Sequence, residues 1–403
     1  MDDPRFCGEA DTCRLEEVPI AIIVRRATQS DRPAIARFIQ DAFGPSAPYK
    51  ATPRWTWQFI DNPYGRREAD EVPVWIAVDG DSVVGQIAVQ TALLEVEGRT
   101  LEAGWAVDIM ILDSHRGGGI GHRLHEAVAT DVDILMSLKM APASRRMAER
   151  QGCVTLAEVN QLTRWVRLDA PSVRSYLFVR TANRPGAHLA ARLACDILRF
   201  HRLFPLLANP YLRLRDVVKR SRRRPGAARI VEVDHFGPEI DDLWARTRGD
   251  YPVIFPRDAE FLNWRFVDCP EPSYRRFLAT RDGRAVGYVV LRKADPVELP
   301  QGIIVDLYAA RQDVETIDEL VRHSLAFFDH DVAAVDCGTS VAEFEAVLRT
   351  HGFFRTRAHH PTCVCRDSAI RDRLARLRND WFLSKGDHDW DQIYLADPRV
   401  AAG

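Results

Sequence analysis

The chain has 403 residues, 46% of them hydrophobic and 28% charged, with a formal net charge of −2. This is the composition of an ordinary folded protein and excludes a disordered or fibrous chain, while a charge so near zero says nothing about partners. A single core stops growing near roughly 250 to 300 residues, so two domains are expected.

The start, MDDPRFCGEADTC, is acidic and has neither the basic nor the apolar region of a secretory leader. No run reaches the roughly 18 apolar residues of a membrane helix, so a cytoplasmic location is the expectation. Eight cysteines spread over this length do not look like a disulfide framework. Cys363 and Cys365, preceded by His359 and His360, lack a standard zinc spacing and read as residues on alternate faces of a strand; no metal is expected.

In chain order, IVRRATQSDRPAIARFIQDAF (23–43) reads as a strand, then a helix capped by Ser30 with Ile35, Phe38, Ile39 and Ala42 at helical spacing. Residues 73–79 and 83–91 read as strands joined at Gly80 and Asp81. A strand at 104–112, a glycine-rich turn, a helix to 131, a strand at 133–138, a helix at 142–151 and strands between 153 and 168 follow. From 229 the order restarts, with strand and helix and then a hairpin around Asp282 and Gly283.

Shared landmarks tie the two stretches together. Trp57, Phe59, Asp61 and Pro63 recur with the same spacing as Trp264, Phe266, Asp268 and Pro270. Residues 83–85 (VVG) answer 285–287 (AVG), Val107-Asp108-Ile109 answers Val305-Asp306-Leu307, and Gly152-Cys153 answers Gly352-Phe353. Ordered repeats offset by about half the chain predict a duplicated module. The expected domains are 22–170, a basic helical linker at 171–228, a second copy at 229–367 and a tail at 368–403. The aromatic pairs Trp57/Phe59 and Trp264/Phe266 either line a cleft between the copies or pack helices, the second being the commoner use of such residues.

Residues 172–228 differ in character. Thirteen Arg or Lys residues stand against Asp196 and Asp216, a formal charge of +11, and Leu189, Leu193, Ile197 and Phe200 form an amphipathic helical stripe. One reading places this helix on an anionic membrane surface or against a phosphate-bearing ligand. The other packs it between the two domains with its arginines solvated. SRRRPGAAR (221–229) reads as an exposed linker.

Residues 104–124 carry the chemistry. An apolar strand runs into Arg116-Gly117-Gly118-Gly119-Ile120-Gly121 and then into a helix. Glycines turn tightly and leave backbone N–H groups unobstructed at a helix start, which favours a phosphate or pyrophosphate. No Gly-Lys-Ser/Thr follows, so this is not a Walker loop, and the loop does not follow an early strand as a dinucleotide fingerprint would.

This R-x-x-G-x-G after an apolar strand, followed by a strand and helix closing on a glycine pair, resembles the GNAT superfamily of acyl-CoA-dependent N-acyltransferases. The resemblance implies an α+β fold of two mixed, mostly antiparallel sheets flanked by helices. It also implies that the amides of Gly117, Gly118, Gly119, Ile120 and Gly121, with Arg116, hold the CoA pyrophosphate. The strand through Ile109 and Ile111 would pair with the pantetheine arm where it splays from 134–138. Acetyl-CoA or another acyl-CoA is the implied co-substrate, and an amine of a small molecule or sugar the implied acceptor.

Asp108 stands where family members often carry a carboxylate base, although Asp306 repeats it in the second copy and suggests a shared structural role. Ala148 stands where the usual acid is a tyrosine, leaving Ser144 or Ser137 as substitutes, or no acid at all. The second copy has no glycines after Tyr308 and places Asp313, Glu315, Asp318 and Glu319 where a pyrophosphate would lie, so it is not expected to bind CoA. Two alternatives are a Fem-like aminoacyltransferase using charged tRNA, which the intact glycine loop disfavours, and a non-catalytic acyl-CoA-binding scaffold. No nucleic acid is expected. In the tail, Asp387, Asp389 and Asp391 start like a calcium loop but lack its glycine and closing glutamate. The expectation there is a helix at 369–378 and a strand-like or docking end, with a contribution to the substrate cleft as the alternative hypothesis.

Overall fold

The computed structural model describes residues 22–44, 50–51, 53–65, 70–138, 140, 142–156, 158–221, 226–294, 299–329 and 331–391. The acidic start at 1–13, the linker residues 222–225 and the tail beyond 391 lie outside the described residues.

The first half runs β1 (Ile23–Thr28), α1 (Arg32–Phe43), α2 (Arg54–Phe59), β2 (Glu71–Asp79), β3 (Ser82–Val96), β4 (Arg99–Ile111), α3 (Ile120–Asp131), β5 (Ile134–Ser137), α4 (Pro142–Arg150), β6 (Val154–Thr155) and β7 (Val159–Trp165). Three helices follow, α5 (Ala170–Thr181), α6 (Pro185–Asp196) and α7 (Phe200–Ser221). The second half runs β8 (Arg229–Glu232), α8 (Pro238–Thr247), β9 (Val253–Ile254), α9 (Ala259–Phe266), β10 (Arg275–Arg281), β11 (Arg284–Ala294), β12 (Gln301–Ala309), α10 (Val314–Phe328), β13 (Ala334–Thr339), α11 (Ala342–Thr350), β14 (Phe354–His359) and β15 (Thr362–Cys365). α12 (Ser368–Arg376) and β16 (Trp381–Phe382) complete the described chain.

Two mixed sheets flanked by helices result, in the α+β class the sequence leads one to expect. The buried faces follow the sequence pattern: Ile35, Phe38 and Ile39 of α1 are buried, as the helical spacing requires. Ser30 is not the cap of α1. It lies in a 3-10 turn, Gln29–Asp31, and the helix starts at Arg32 because the Asp31 carboxylate already binds the Thr28 N–H and Arg25. Gly85 and Gly287, the repeated V-G landmarks, are close-approach positions. A Cβ at Gly85 would stand 3.3 Å from Ile111 and 3.4 Å from Leu124, and one at Gly287 would stand 2.8 Å from Thr316.

The strand order of the first sheet is β1-β2-β3-β4-β5-β15-β6 and of the second β14-β7-β13-β12-β11-β10-β8. Each half therefore gives one strand to the other: β15 sits between β5 and β6, and β7 between β13 and β14. The expected boundary at residue 170 follows the chain and not the sheets. Within these seven-strand paths only β4–β5 and β12–β13 pair parallel. Cys363 and Cys365 correct the expectation of alternate strand faces. Two residues apart on β15 they share one face, and their sulfurs lie 3.9 Å apart.

Trp57 and Trp264 do not line a cleft. They stack on each other inside the protein, at 3% and 4% exposure, and join α2 to α9. The stripe of α6 also departs from its commoner reading. Leu189, Leu193, Ile197 and Phe200 are all exposed and pack against no domain.

Candidate active site

The centre of the first sheet opens where β4 and β5 part. Gly104 pairs with Leu135 and Trp105 with Met136, and there the parallel ladder ends. Gly104 has to be glycine, because a Cβ would lie 2.2 Å from Val89 Cγ1. From Ala106 to Ile111 the edge of β4 that faced β5 carries no strand pairing among the described residues. Trp105 is buried, and its indole N–H finds no acceptor among the described residues.

Asp108 lies on this open stretch with φ +51, beside the register shift opposite Gln86 and Ala88. A non-glycine residue held in that region is uncommon and is concentrated at functional positions. Its carboxylate forms an ion pair with Lys50, whose ammonium also stands 4.7 Å over the Phe43 ring, and Gln86 donates to its backbone carbonyl at 3.3 Å. The proposed equivalence with Asp306 fails in the register. Asp306 pairs with Val290 beside a register shift of its own ladder, but it keeps an ordinary negative φ, is fully buried, and takes the Tyr288 hydroxyl at 2.7 Å.

β4 ends at Ile111 and leads to the glycine loop. Gly117 and Gly119 have φ of +90 and +77, conformations only glycine adopts easily, and Cβ atoms there would meet nothing within 4 Å. Gly119 is the N-terminal boundary of α3, whose first turn holds no acidic residue. An exposed loop entering a helix N-terminus has free N–H groups and a favourable dipole for an anion. Arg116 is at its rim, exposed, paired at 2.8 Å with Asp113 and donating to the Ile111 carbonyl at 3.3 Å, and the ion pair is a contact of little energy at such exposure. Ile120 and Gly121 differ from the rest of the run. Ile120 buries its side chain against the sheet, and Gly121 lets Ile111 approach to 3.2 Å of its Cβ position, so beyond their amides these two serve packing.

The acid candidates fare unevenly. Ala148 is buried at 1% exposure, so α4 turns that position into the core. Ser137 lies inside β5, buried and opposite Thr362 of the exchanged strand. Ser144 is half-buried on α4.

Sequence reasoning raised a contribution of the tail but did not single out His388. His388 packs edge-on against Trp105 with ring centroids 4.9 Å apart, and its Nδ1 lies 2.7 Å from Asp389. Asp389 in turn accepts from Arg54 at 2.7 Å. Burial pushes the Asp389 carboxyl up, but His388, Arg54 and Lys50 together hold it well below the usual carboxylate range. Lys50, Asp108, Arg54, Asp389, His388 and Trp105 thus form one linked group beside the parting of β4 and β5. The alternation of histidine and aspartate at 387–391 was the only signal in the sequence.

The corresponding opening of the second sheet is filled. β12 and β13 pair from Gln301 to Ile304 and then part, and the tail enters between them. Lys385 donates to Asp336 at 2.5 Å, Thr339 bridges to Ser384, and Gly386 packs so tightly on Phe266 that a Cβ would stand 2.9 Å away. Asp387 pairs with Arg257 at 2.5 Å and Asp391 with Arg265 at 2.6 Å, all four buried. The start of α10 is closed to anions as well. Asp313 caps it by accepting from Thr316 N–H, and Arg281 gathers Asp313, Glu315 and Glu319.

Residues 23–154 match the family model described as "Acetyltransferase (GNAT) domain". Solved structures share the overall fold. A GCN5-related N-acetyltransferase from Anabaena variabilis superposes with a TM-score of 0.53 at 11% identity, covering 85% of this chain and 72% of that one. A GCN5-related N-acetyltransferase from Kribbella flavida gives 0.52 at 11% identity, covering 86% and 71%. A probable N-acyltransferase from Enterococcus faecalis gives 0.52 at 10% identity, covering 85% and 72%. No curated protein sequence matches the chain.

Proposed function

We propose that this chain, whose residues 23–154 match the GNAT acetyltransferase domain model, is an acyl-CoA-dependent N-acyltransferase with one CoA site, using acetyl-CoA or another acyl-CoA to acylate an amine of a small molecule or sugar. The observation that carries the reading is a contrast within one chain. The parting of β4 and β5 is open and leads to the glycine loop, whereas that of β12 and β13 is occupied by the protein's own tail. We read the second half as a degenerate copy of the first that has become a wall and anchor.

The residues present fit a CoA thioester. The amides of Gly117, Gly118 and Gly119 with Ile120 and Gly121 would hold the pyrophosphate, and the Arg116 guanidinium would add charge at the rim. The free edge of β4 from Ile109 to Ile111 would take pantetheine amides as it would a neighbouring strand.

In the reaction the amine nitrogen bonds to the thioester carbonyl carbon, the C–S bond breaks, and the amine proton must be removed. Lys50 already rests an ammonium on Asp108, so the carboxylate at the bend of β4 suits an incoming cationic amine. Proton removal is assigned to His388, whose Nδ1 lies at ion-pair distance from Asp389, 2.7 Å, so that the carboxylate offsets the charge the imidazole gains on taking the proton. No tyrosine from α4 meets the departing sulfur, and Ser144 is the hydroxyl that remains on that helix.

Thermal unfolding with and without acetyl-CoA, in the wild type and in Gly118→Glu, tests the site. A Cβ at Gly118 meets only the His115 carbonyl, at 4.0 Å, so the variant folds while its carboxylate opposes phosphate. Saturating ligand should add about 2.7 kcal/mol at 100 times the dissociation constant, a shift of roughly 3 °C if the interlocked halves unfold together. A shift in the wild type that is lost in the variant supports the reading; no shift in either sinks it.

A further inference from the structure

The feature that the acyltransferase reading leaves unused is the outer face of α6 and α7. Of the 15 large hydrophobic residues that are exposed among the described residues, 12 lie between Leu189 and Val217. On α7 the residues Phe200, Leu203, Phe204, Leu207, Tyr211 and Leu214 recur at spacings of three and four, which sets them in one stripe along the helix. Leu207 is 79% exposed, Tyr211 67% and Leu214 63%. The stripe continues across the turn between the helices through Ile197 and Leu198 to Leu193 and Leu189 of α6.

The opposite face of α7 is fixed to the body. Asn209 both donates to the Leu168 carbonyl and accepts from its N–H, Arg215 donates to the Trp165 carbonyl, and Asp216 binds Arg164. His201 and Leu212 are buried on that side. The helix is thus held rigidly with its inner face satisfied and its apolar face outward. Scattered exposed apolar residues need no explanation, but a continuous apolar stripe of this length does.

Charge decides what covers it. Residues 172–228 carry +11, which leaves −13 on the rest of the chain. The two acidic residues of the segment are already taken, Asp196 by Arg174 and Asp216 by Arg164 and Arg215. Arg184, Arg192, Arg199, Arg202 and Arg213 flank the stripe, exposed and with no ion pair among the described residues. A second copy of the chain would bring +11 against +11. A free phosphate would find arginines but no enclosure, and would not cover an apolar stripe.

We propose that α6 and α7 form an interfacial anchor that lies on an anionic lipid surface, with Leu193, Ile197, Leu203, Leu207 and Leu214 entering the headgroup boundary and the flanking arginines meeting lipid phosphates. No described helix is long and apolar enough to cross a membrane, so the contact is peripheral. The anchor stands independently of the acyltransferase assignment, because its residues lie outside the glycine loop and the tail.

The test is co-sedimentation of the full chain with vesicles of equal parts phosphatidylglycerol and phosphatidylcholine, and with phosphatidylcholine alone. The protein should bind the anionic vesicles, release as salt is raised, and bind the neutral ones about tenfold less. Leu203→Glu/Leu207→Glu/Leu214→Glu should abolish binding without moving the unfolding midpoint, and Arg199→Glu/Arg202→Glu/Arg213→Glu should remove the preference for anionic lipid. Absence of wild-type binding to either vesicle overturns the proposal. So does sedimentation velocity showing an oligomer that the leucine variants dissociate, which would make the stripe a contact between copies.

Discussion

Trp57 and Trp264 lie face to face, ring centroids 4.9 Å apart and planes 15° apart, and each indole N–H donates to the other's backbone carbonyl, at 2.8 and 3.0 Å. The repeated W-x-F motif therefore meets its own repeat across the join of the two halves. Replacing either tryptophan with alanine empties a large buried volume and leaves a buried carbonyl without its donor, at a cost of about 3 to 5 kcal/mol. The double variant should cost less than the sum of the two by at least about 1 kcal/mol. Urea unfolding of the four proteins measures this, and strictly additive losses would mean that the two indoles do not depend on each other.

The tail leaves a pH signature. Arg257 is fully buried between Asp306 at 3.1 Å and Asp387 at 2.5 Å. Two carboxylates share one guanidinium, and burial, only partly offset by Arg257, pushes Asp387 up to about 6. An unfolded aspartate titrates near about 4, so the folded protein holds the extra proton between these values. The contribution of Asp387 is thus full below pH 4 and lost as pH rises through 6, by up to about 3 kcal/mol. In Asp387→Asn that loss is absent, and the variant should gain on the wild type between pH 4 and pH 7 in denaturant titrations. A constant difference over that range would show Asp387 ionised throughout.

Asp391 binds Arg265 at 2.6 Å and accepts from Tyr274 at 2.7 Å, with nothing exposed. Asp391→Ala leaves a charged guanidinium buried with only neutral partners and should destabilise by about 3 to 5 kcal/mol. Removing residues 380–403 would strand Arg265 and leave Arg257 with Asp306 alone, so that truncation should yield insoluble protein and report nothing about the substrate cleft. Soluble yield and the unfolding midpoint of both variants are the measurements.

His388→Ala should lower kcat by about 100-fold or more while the acetyl-CoA-induced thermal shift persists, because the imidazole is assigned to the proton and not to the CoA site. Asp108→Asn should chiefly raise the KM for the amine. If kcat in His388→Ala is unchanged across the pH range, His388 only packs on Trp105.

Local signals were legible in the sequence. Hydrophobic periodicity and turn residues located the strands and helices of the first sheet's β1 to β6 and the opening strand, helix and hairpin of the second half, and the glycines at 117 and 119 marked a loop whose positive φ values need them. What was not legible is what depends on partners distant in the chain. Nothing near β7 or β15 says that each will leave its own half, since a strand of either half would show the same alternation. The short β9 and β16 are two residues each and carry no period to read. The aspartates of the tail had no account in the sequence because their partners, Arg54, Arg257 and Arg265, lie more than a hundred residues upstream. Asp108 and Asp306 looked equivalent because the sequence does not show that the bulge of β4 takes in Asp108 itself, whereas that of β12 leaves Asp306 paired with Val290.

The exchange of β7 and β15 has a consequence for how this molecule comes to exist. The first sheet cannot receive β15 until residues 362–365 have left the ribosome, although β1 to β6 are complete some two hundred residues earlier. Until then the nascent first half exposes the unpaired sides of β5 and β6, which invite pairing with other chains. The two halves are therefore obliged to mature together: a fragment ending after β7 would present an open sheet and a strand with no place to dock. Cleaving the connection between the halves after folding would leave them joined, whereas making them as separate polypeptides would require each to capture a strand from the other.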